Sequence, residues 1–80
     1  MYQSFKANPD IQKTIGSKQF PYAEEIQRLR IRHELKIEEI SKMLDVSVME
    51  YINYEYCNLN IPVEYYKALL NKLRKKLGYE

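Results

Sequence analysis

Apolar residues recur along this chain at spacings of three and four, and the segments they define are bounded by helix start and stop residues. Asn8-Pro9-Asp10 reads as a helix start, with Asn as N-cap and Pro at the first helical position, and Gly16 as a stop. A short helix is predicted over Pro9–Ile15, with Ile11 and Ile15 on one face. Residues Ser17 to Phe20 form a connector. A second helix is predicted from Pro21 to Glu34, its face made by Tyr22, Ile26, Leu29 and His33. A third covers Ile37–Leu44, with Ile37, Ile40 and Leu44 facing inward, and Asp45-Val46 breaks it. Ser47-Val48-Met49-Glu50 has the form of a capping box and starts a fourth helix that runs to about Tyr56. Cys57 to Ile61 is a loop. Pro62 opens a last helix that buries Tyr66, Leu69, Leu70, Leu73 and Leu77 and ends at Gly78. Strand signals are scarce, and Tyr2–Phe5 is the one weak candidate for extended chain. The expectation is an all-α domain, a compact bundle of about five short helices.

Eighty residues suffice for one domain but leave it a small core. A dimer interface or partner is therefore expected to contribute to stability. The chain is 45% hydrophobic and 30% charged, an ordinary globular balance rather than a disordered one. One cysteine, Cys57, excludes an intramolecular disulfide and fits a reducing, cytoplasmic setting. Met1–Lys6 has no apolar run of the signal-peptide kind, and no stretch approaches the ~20 apolar residues of a membrane span.

The net charge of +2 conceals a segregation. Residues 1–36 sum to +3, residues 37–66 to −5 and residues 67–80 to +4. Lys42 is the only cation in the acidic middle. The basic end carries Lys72, Arg74, Lys75 and Lys76. These can be a solvated helix face favoured by the helix dipole, phosphate contacts, or partners of an acidic surface such as the chain's own middle in a dimer.

The stretch from Ile26 to Leu70 resembles the lambda-repressor/Cro (XRE-type) helix-turn-helix family. Ile26-Gln27-Arg28-Leu29-Arg30 matches its first-helix pattern I-x-x-L-R. Leu35, then Glu38-Glu39-Ile40-Ser41, then Leu44-Asp45-Val46-Ser47 follow L-S-Q-E-E-L-A-x-x-L-G-V-S. Tyr51, Tyr54 and Glu55 stand where the family has two apolar residues and a Glu, and Pro62 where it often starts the next helix. The resemblance implies a lambda-repressor-like domain over residues 21–80 and leaves residues 1–20 as an N-terminal extension with a short helix. It also implies a partly buried ion pair between Arg30 and Glu55, whose role is to orient helices. The match departs from the family at several places. Lys36 stands where a Ser or Thr cap is usual and cannot cap, Ile37 replaces a Gln, and Asp45 and Cys57 replace glycines.

By the same resemblance, the fourth helix is the recognition helix. Its contact residues are Ser47, Val48, Met49, Ile52, Asn53 and Tyr56, and Arg28, Arg32, Lys36 and Lys42 are the nearby candidates for phosphate contact. Only Asn53 has a side chain able to bond an adenine edge bidentately, and Val48 and Met49 can at best touch thymine methyls. Glu50, on the same turn, is repelled by phosphate. Two lost polar contacts remove ~2–6 kcal/mol of discrimination, against the ~4–10 kcal/mol that separates specific from non-specific binding. The same Val48, Met49, Ile52 and Tyr56 make an apolar stripe of the composition found at protein interfaces.

Two functions follow as expectations. One is a DNA-binding regulator, such as a phage or plasmid repressor or an antitoxin-like autoregulator, acting as a homodimer on double-stranded DNA. The other is a divergent helix-turn-helix domain that binds a protein such as a toxin or repressor. Exposure of Val48, Met49 and Ile52 in a single chain favours the second. An enzyme is not expected. His33 is the sole histidine and reads as a packed or half-exposed structural residue, and Cys57 as a small buried or loop thiol. The Glu24-Glu25 and Glu38-Glu39 neighbours point to different helix faces. No spacing suits a metal, a nucleotide or another cofactor.

Overall fold

A computed structural model of the chain describes residues 13–79. They form an all-α bundle, with no strand among the described residues. Four helices carry it: α1 (Phe20–Arg32), α2 (Ile37–Leu44), α3 (Val48–Glu55) and α4 (Val63–Lys76). Residues 13–15 are also helical and turn at Gly16. The rest of the helix expected over Pro9–Ile15, and the candidate extended chain at Tyr2–Phe5, lie outside the described residues.

Three of the four helices start where a side chain bonds a backbone amide at the helix start, and α4 follows Pro62 without a side-chain cap. At α1, Ser17 Oγ accepts from the Phe20 amide at 3.2 Å, and Pro21 sits in the first turn. Lys36 precedes α2 and, as expected, its ammonium cannot accept. The Glu39 carboxylate instead accepts from the Lys36 amide at 2.7 Å, one half of a capping box. The predicted box before α3 is complete. Ser47 Oγ accepts from the Glu50 amide at 3.0 Å, and Glu50 accepts from the Ser47 amide at 3.1 Å.

All four helices stop in the same way. A residue with positive φ follows the last turn: Glu34 (55°), Asp45 (60°), Cys57 (60°) and Gly78 (85°). In each case the next amide reaches back to a carbonyl of the last turn. Leu35 donates to Arg30, Val46 to Ser41, Asn58 to Asn53 and Tyr79 to Arg74. Only one of the four stops uses glycine, and a side chain in this conformation costs about 1–2 kcal/mol. The stop at Glu34 explains a correction. His33, expected on the apolar face of its helix, falls beyond the last helical residue, Arg32. It is exposed and pairs with the Tyr79 hydroxyl at 3.0 Å.

The core is built from Ala23, Ile26 and Leu29 of α1, Ile40 and Leu44 of α2, Tyr51 of α3, Cys57, and Tyr66, Leu69, Leu70 and Leu73 of α4. Ile37 and Leu77, predicted to face inward, are half-buried at its margin. α4 packs on α1 and α2, and α3 packs on the same two helices. One long-range tie closes α2: Lys72 Nζ donates to the Leu44 carbonyl at 2.7 Å. That is the favoured place for a cation, at a helix C-terminus. No helix of the described residues is long and apolar enough to cross a membrane.

A candidate partner-binding face on α3

α3 has two turns and a single fully buried residue, Tyr51. So short a helix is not stable alone, and its position comes from ties to neighbouring elements. The capping box holds its first turn. Its last turn is held by a network. Arg30 Nε donates to Glu55 at 2.7 Å, Arg30 Nη2 donates to the other Glu55 oxygen at 3.2 Å, and Tyr51 donates its hydroxyl to Glu55 at 2.6 Å. The remaining guanidinium nitrogen donates to the Leu35 carbonyl at 3.1 Å. The Arg30–Glu55 pairing implied by the family resemblance therefore forms, with bidentate geometry. The bond to Glu55 pushes the Arg30 guanidinium above its ordinary pKa. Burial, reinforced by the carboxylate of Glu55, raises that of the Tyr51 phenol. The Tyr51 hydroxyl was not foreseen as a member. The legible signal was a Tyr four residues before a Glu on one helix.

With that side turned inward, the opposite side of α3 faces out. Met49 is 69% exposed, Tyr56 75% and Val48 38%. Ile52, expected to be exposed with them, is half-buried at the edge of the face. Asn53 is exposed, but its amide is engaged. Its Nδ2 donates to the Met49 carbonyl at 3.1 Å, and its Oδ1 accepts from Asn58 Nδ2 at 3.2 Å. The Glu50 carboxylate is turned back to the Ser47 amide. Ser47 is exposed and spends its hydroxyl on the cap. The outward groups that remain are largely apolar.

The four candidate phosphate contacts differ in whether their charge is already paired. Arg28 is bound to Glu25 at 2.9 Å and lies 3.7 Å from Glu24, so two carboxylates offset its charge. Arg32, Lys36 and Lys42 are exposed and form no ion pair among the described residues. The tyrosines divide. Tyr66 is buried, with its hydroxyl donated to the Asn58 carbonyl at 2.9 Å, and burial raises its pKa. Tyr54 is half-buried edge-on to Tyr66 at a ring separation of 5.0 Å. Tyr56 and Tyr65 are exposed.

Beside α3, between the α2–α3 turn and α4, lies an open groove of about 430 Å³. Leu44, Val46, Tyr54, Tyr65, Ala68 and Leu69 line it, with Asp45, Glu64 and Lys72 among its walls. No local pattern announces it, because it is formed by elements about twenty residues apart. Cys57 is buried, as read from the sequence, with its thiol 3.8 Å from Ser17 Oγ. Among the described residues no three His, Cys, Asp or Glu side chains converge as a metal-binding group.

Comparison of the chain with protein-family models, with curated proteins and with solved structures returns no match.

Proposed function

We propose that this domain is a helix-turn-helix unit of the lambda-repressor/Cro kind it resembles, and that α3 is a protein-binding surface rather than a reader of base edges. The supporting observation is what α3 presents outward: Val48, Met49 and Tyr56 exposed, with the one base-reading side chain, Asn53, held by bonds within the chain. Apolar side chains gain little in a wet, polar major groove, but a protein partner can bury them at about 25 cal/mol per Å². The surrounding charge agrees. Residues 37–66 sum to −5, and DNA affinity rests on cations that neutralise phosphates. The partner class is a cytoplasmic regulatory protein such as a toxin or a repressor, and the domain acts as its modulator.

DNA reading is the second interpretation. Its support is the order of elements that the resemblance implies, α2 then the turn at Asp45 then α3, with Met49 of α3 and the cations Lys36 and Lys42 exposed.

Fluorescence anisotropy with random-sequence and genomic duplexes, over a salt series, separates the two. The protein-binding reading expects only weak, unselective binding, with a dissociation constant no tighter than about 10⁻⁶ M at physiological salt. It also expects a photo-crosslinker placed at Met49 to capture one partner, and Tyr56→Lys to abolish that capture while leaving the fold intact. Sequence-selective, salt-sensitive DNA binding, lost in the combined Val48→Ala, Met49→Ala and Ile52→Ala variant, would overturn it.

A further inference from the structure

The groove between the α2–α3 turn and α4 has the size, the lining and the charge of a recognition site. Its volume of about 430 Å³ falls within the roughly 300–1,000 Å³ of ligand clefts. Leu44 and Leu69, both buried core residues, close its floor, and Val46, Tyr54, Tyr65 and Ala68 give it apolar and aromatic sides. Its walls are held by bonds within the chain. The Val46 amide donates to the Ser41 carbonyl at 3.0 Å, Tyr54 stands edge-on to the buried Tyr66, and Lys72 ties α4 to the end of α2. Its charge is unbalanced. Asp45 and Glu64 line it, both are exposed, and neither has an ion-pair partner among the described residues. The cation among its lining residues, Lys72, directs its ammonium to the Leu44 carbonyl instead of to either carboxylate. Glu50 adds to the same field: burial first, and then the Glu50 charge, push the Tyr54 phenol above its ordinary pKa.

We infer that this groove is a second binding site, which takes a segment of a partner protein carrying a large apolar side chain next to a Lys or Arg. The apolar side chain enters against Leu44, Tyr54 and Leu69, and the cation meets Asp45 or Glu64 at the rim. The exposed Tyr65 ring offers the same cation a π face. Charge selects a basic segment, because an acidic one would bring like charges to a region that sums to −5. The open form of the groove selects a protein segment. A free small molecule there would keep much of its surface wet, whereas a partner covers the outer side of the side chain it carries. Walls that are already fixed lower the ordering cost of binding. The site is distinct from the outward face of α3, because Tyr54 lines it and Met49 and Tyr56 do not. It therefore stands whether α3 binds protein or DNA.

Nuclear magnetic resonance titration of the labelled full chain tests this, with a short capped peptide of leucine, phenylalanine and lysine as the probe. Saturable shifts are expected at Val46, Tyr54, Tyr65, Ala68 and Leu69, with a dissociation constant of about 10⁻⁴ M, since so small a contact is weak. A peptide with glutamate in place of lysine, and one with alanine in place of leucine and phenylalanine, should each bind at least about tenfold more weakly. Asp45→Asn combined with Glu64→Gln should weaken binding about fivefold, the scale of two exposed ion pairs, and high salt should act in the same direction. Ala68→Arg should abolish it, by filling the groove and by pairing with Glu64 one turn earlier. All three sites are exposed, so circular dichroism should report an unchanged fold. The absence of saturable shifts at millimolar peptide, shifts centred on Met49 and Tyr56 instead, or equal binding of the glutamate peptide would each overturn the inference. So would phenethylamine binding as tightly as the peptide, which would assign the groove to a small molecule. Groove shifts that grow with protein concentration alone would assign it to a second copy and overturn it likewise.

Discussion

Replacing Glu55 with alanine removes the acceptor on which three donors converge. The Glu55 side chain is 4% exposed and that of Arg30 is 18% exposed, so the pair is largely withdrawn from water. Breaking a buried pair by deleting one member costs about 3–5 kcal/mol, because the other charge remains desolvated. Arg30 keeps its bond to the Leu35 carbonyl and part of its access to water, which moves the expectation to the lower end. Tyr51, fully buried, is left with a hydroxyl that has no acceptor, an additional cost of about 1–3 kcal/mol that is not independent of the first. The working figure is about 4 kcal/mol. A domain of this size has only about 4–12 kcal/mol in all, so the variant should be close to unfolding. Urea unfolding followed by far-ultraviolet circular dichroism at pH 7 measures it, with the slope checked for two-state behaviour. Glu55→Gln, which retains acceptors but not the charge, should cost about half as much. The combined change Arg30→Met, Tyr51→Phe and Glu55→Leu removes the orphaned side-chain groups, leaving only the part-buried Leu35 carbonyl without the Arg30 donor, and should lie within about 2 kcal/mol of the parent. A loss below about 1 kcal/mol for Glu55→Ala, or a combined variant as unstable as the single one, would refute the reasoning. The network would then behave as an exposed pair.

Two further outcomes follow from the backbone and the tyrosines. At Asp45, whose φ is 60° on an exposed turn, Asp45→Gly should raise stability by about 0.5 kcal/mol. Asp45→Val should lower it by about 1–2 kcal/mol in the same urea assay, because a β-branched side chain suits that conformation least. The Tyr51 and Tyr66 phenols, both raised by burial, make the fold alkali-sensitive. Their neutral forms are held by the folded state, so their contribution is complete below the unfolded pKa of about 10 and is lost as the pH rises above it. The unfolding free energy should fall by up to about 1.4 kcal/mol per pH unit for each of the two above pH 10, and tyrosinate absorbance should show them ionising with unfolding.

Much of the fold was legible because its signals are local. The boundaries of α2 and the capping box before α3 follow from side chains within four residues of each other. The apolar positions of α4 repeat over nearly four turns, enough for the period to single out Tyr66, Leu69, Leu70 and Leu73. Periodicity failed where helices are short or end without glycine. The face of α1 was extended through His33 because nothing in Glu34 announces a left-handed stop. Over the two turns of α3, spacing alone could not say that Ile52 sits at the edge of the outward face. The candidate site was legible as residues but not as chemistry. Val48, Met49 and Tyr56 were identified, whereas the engagement of Asn53 by Met49 and Asn58 depends on rotamers and on the turn at Cys57. Lys72 was read as part of a basic surface, yet it reaches an element twenty-eight residues away, a contact that no local pattern encodes.

α3 is fastened unequally along its length. Its C-terminal turn is pinned by Arg30, Tyr51 and Glu55, while its N-terminal turn is held by its cap and the partial packing of Val48, with Met49 mostly exposed. Local opening should therefore begin at the N-terminal end, at a free energy well below that of global unfolding. Amide hydrogens of the first turn should exchange faster than those near Tyr54 and Glu55. The partner-facing residues thus divide: Val48 and Met49 sit on the part of the helix that can adjust most readily, while Tyr56 stands at the pinned end, which returns the helix to one starting position after each encounter.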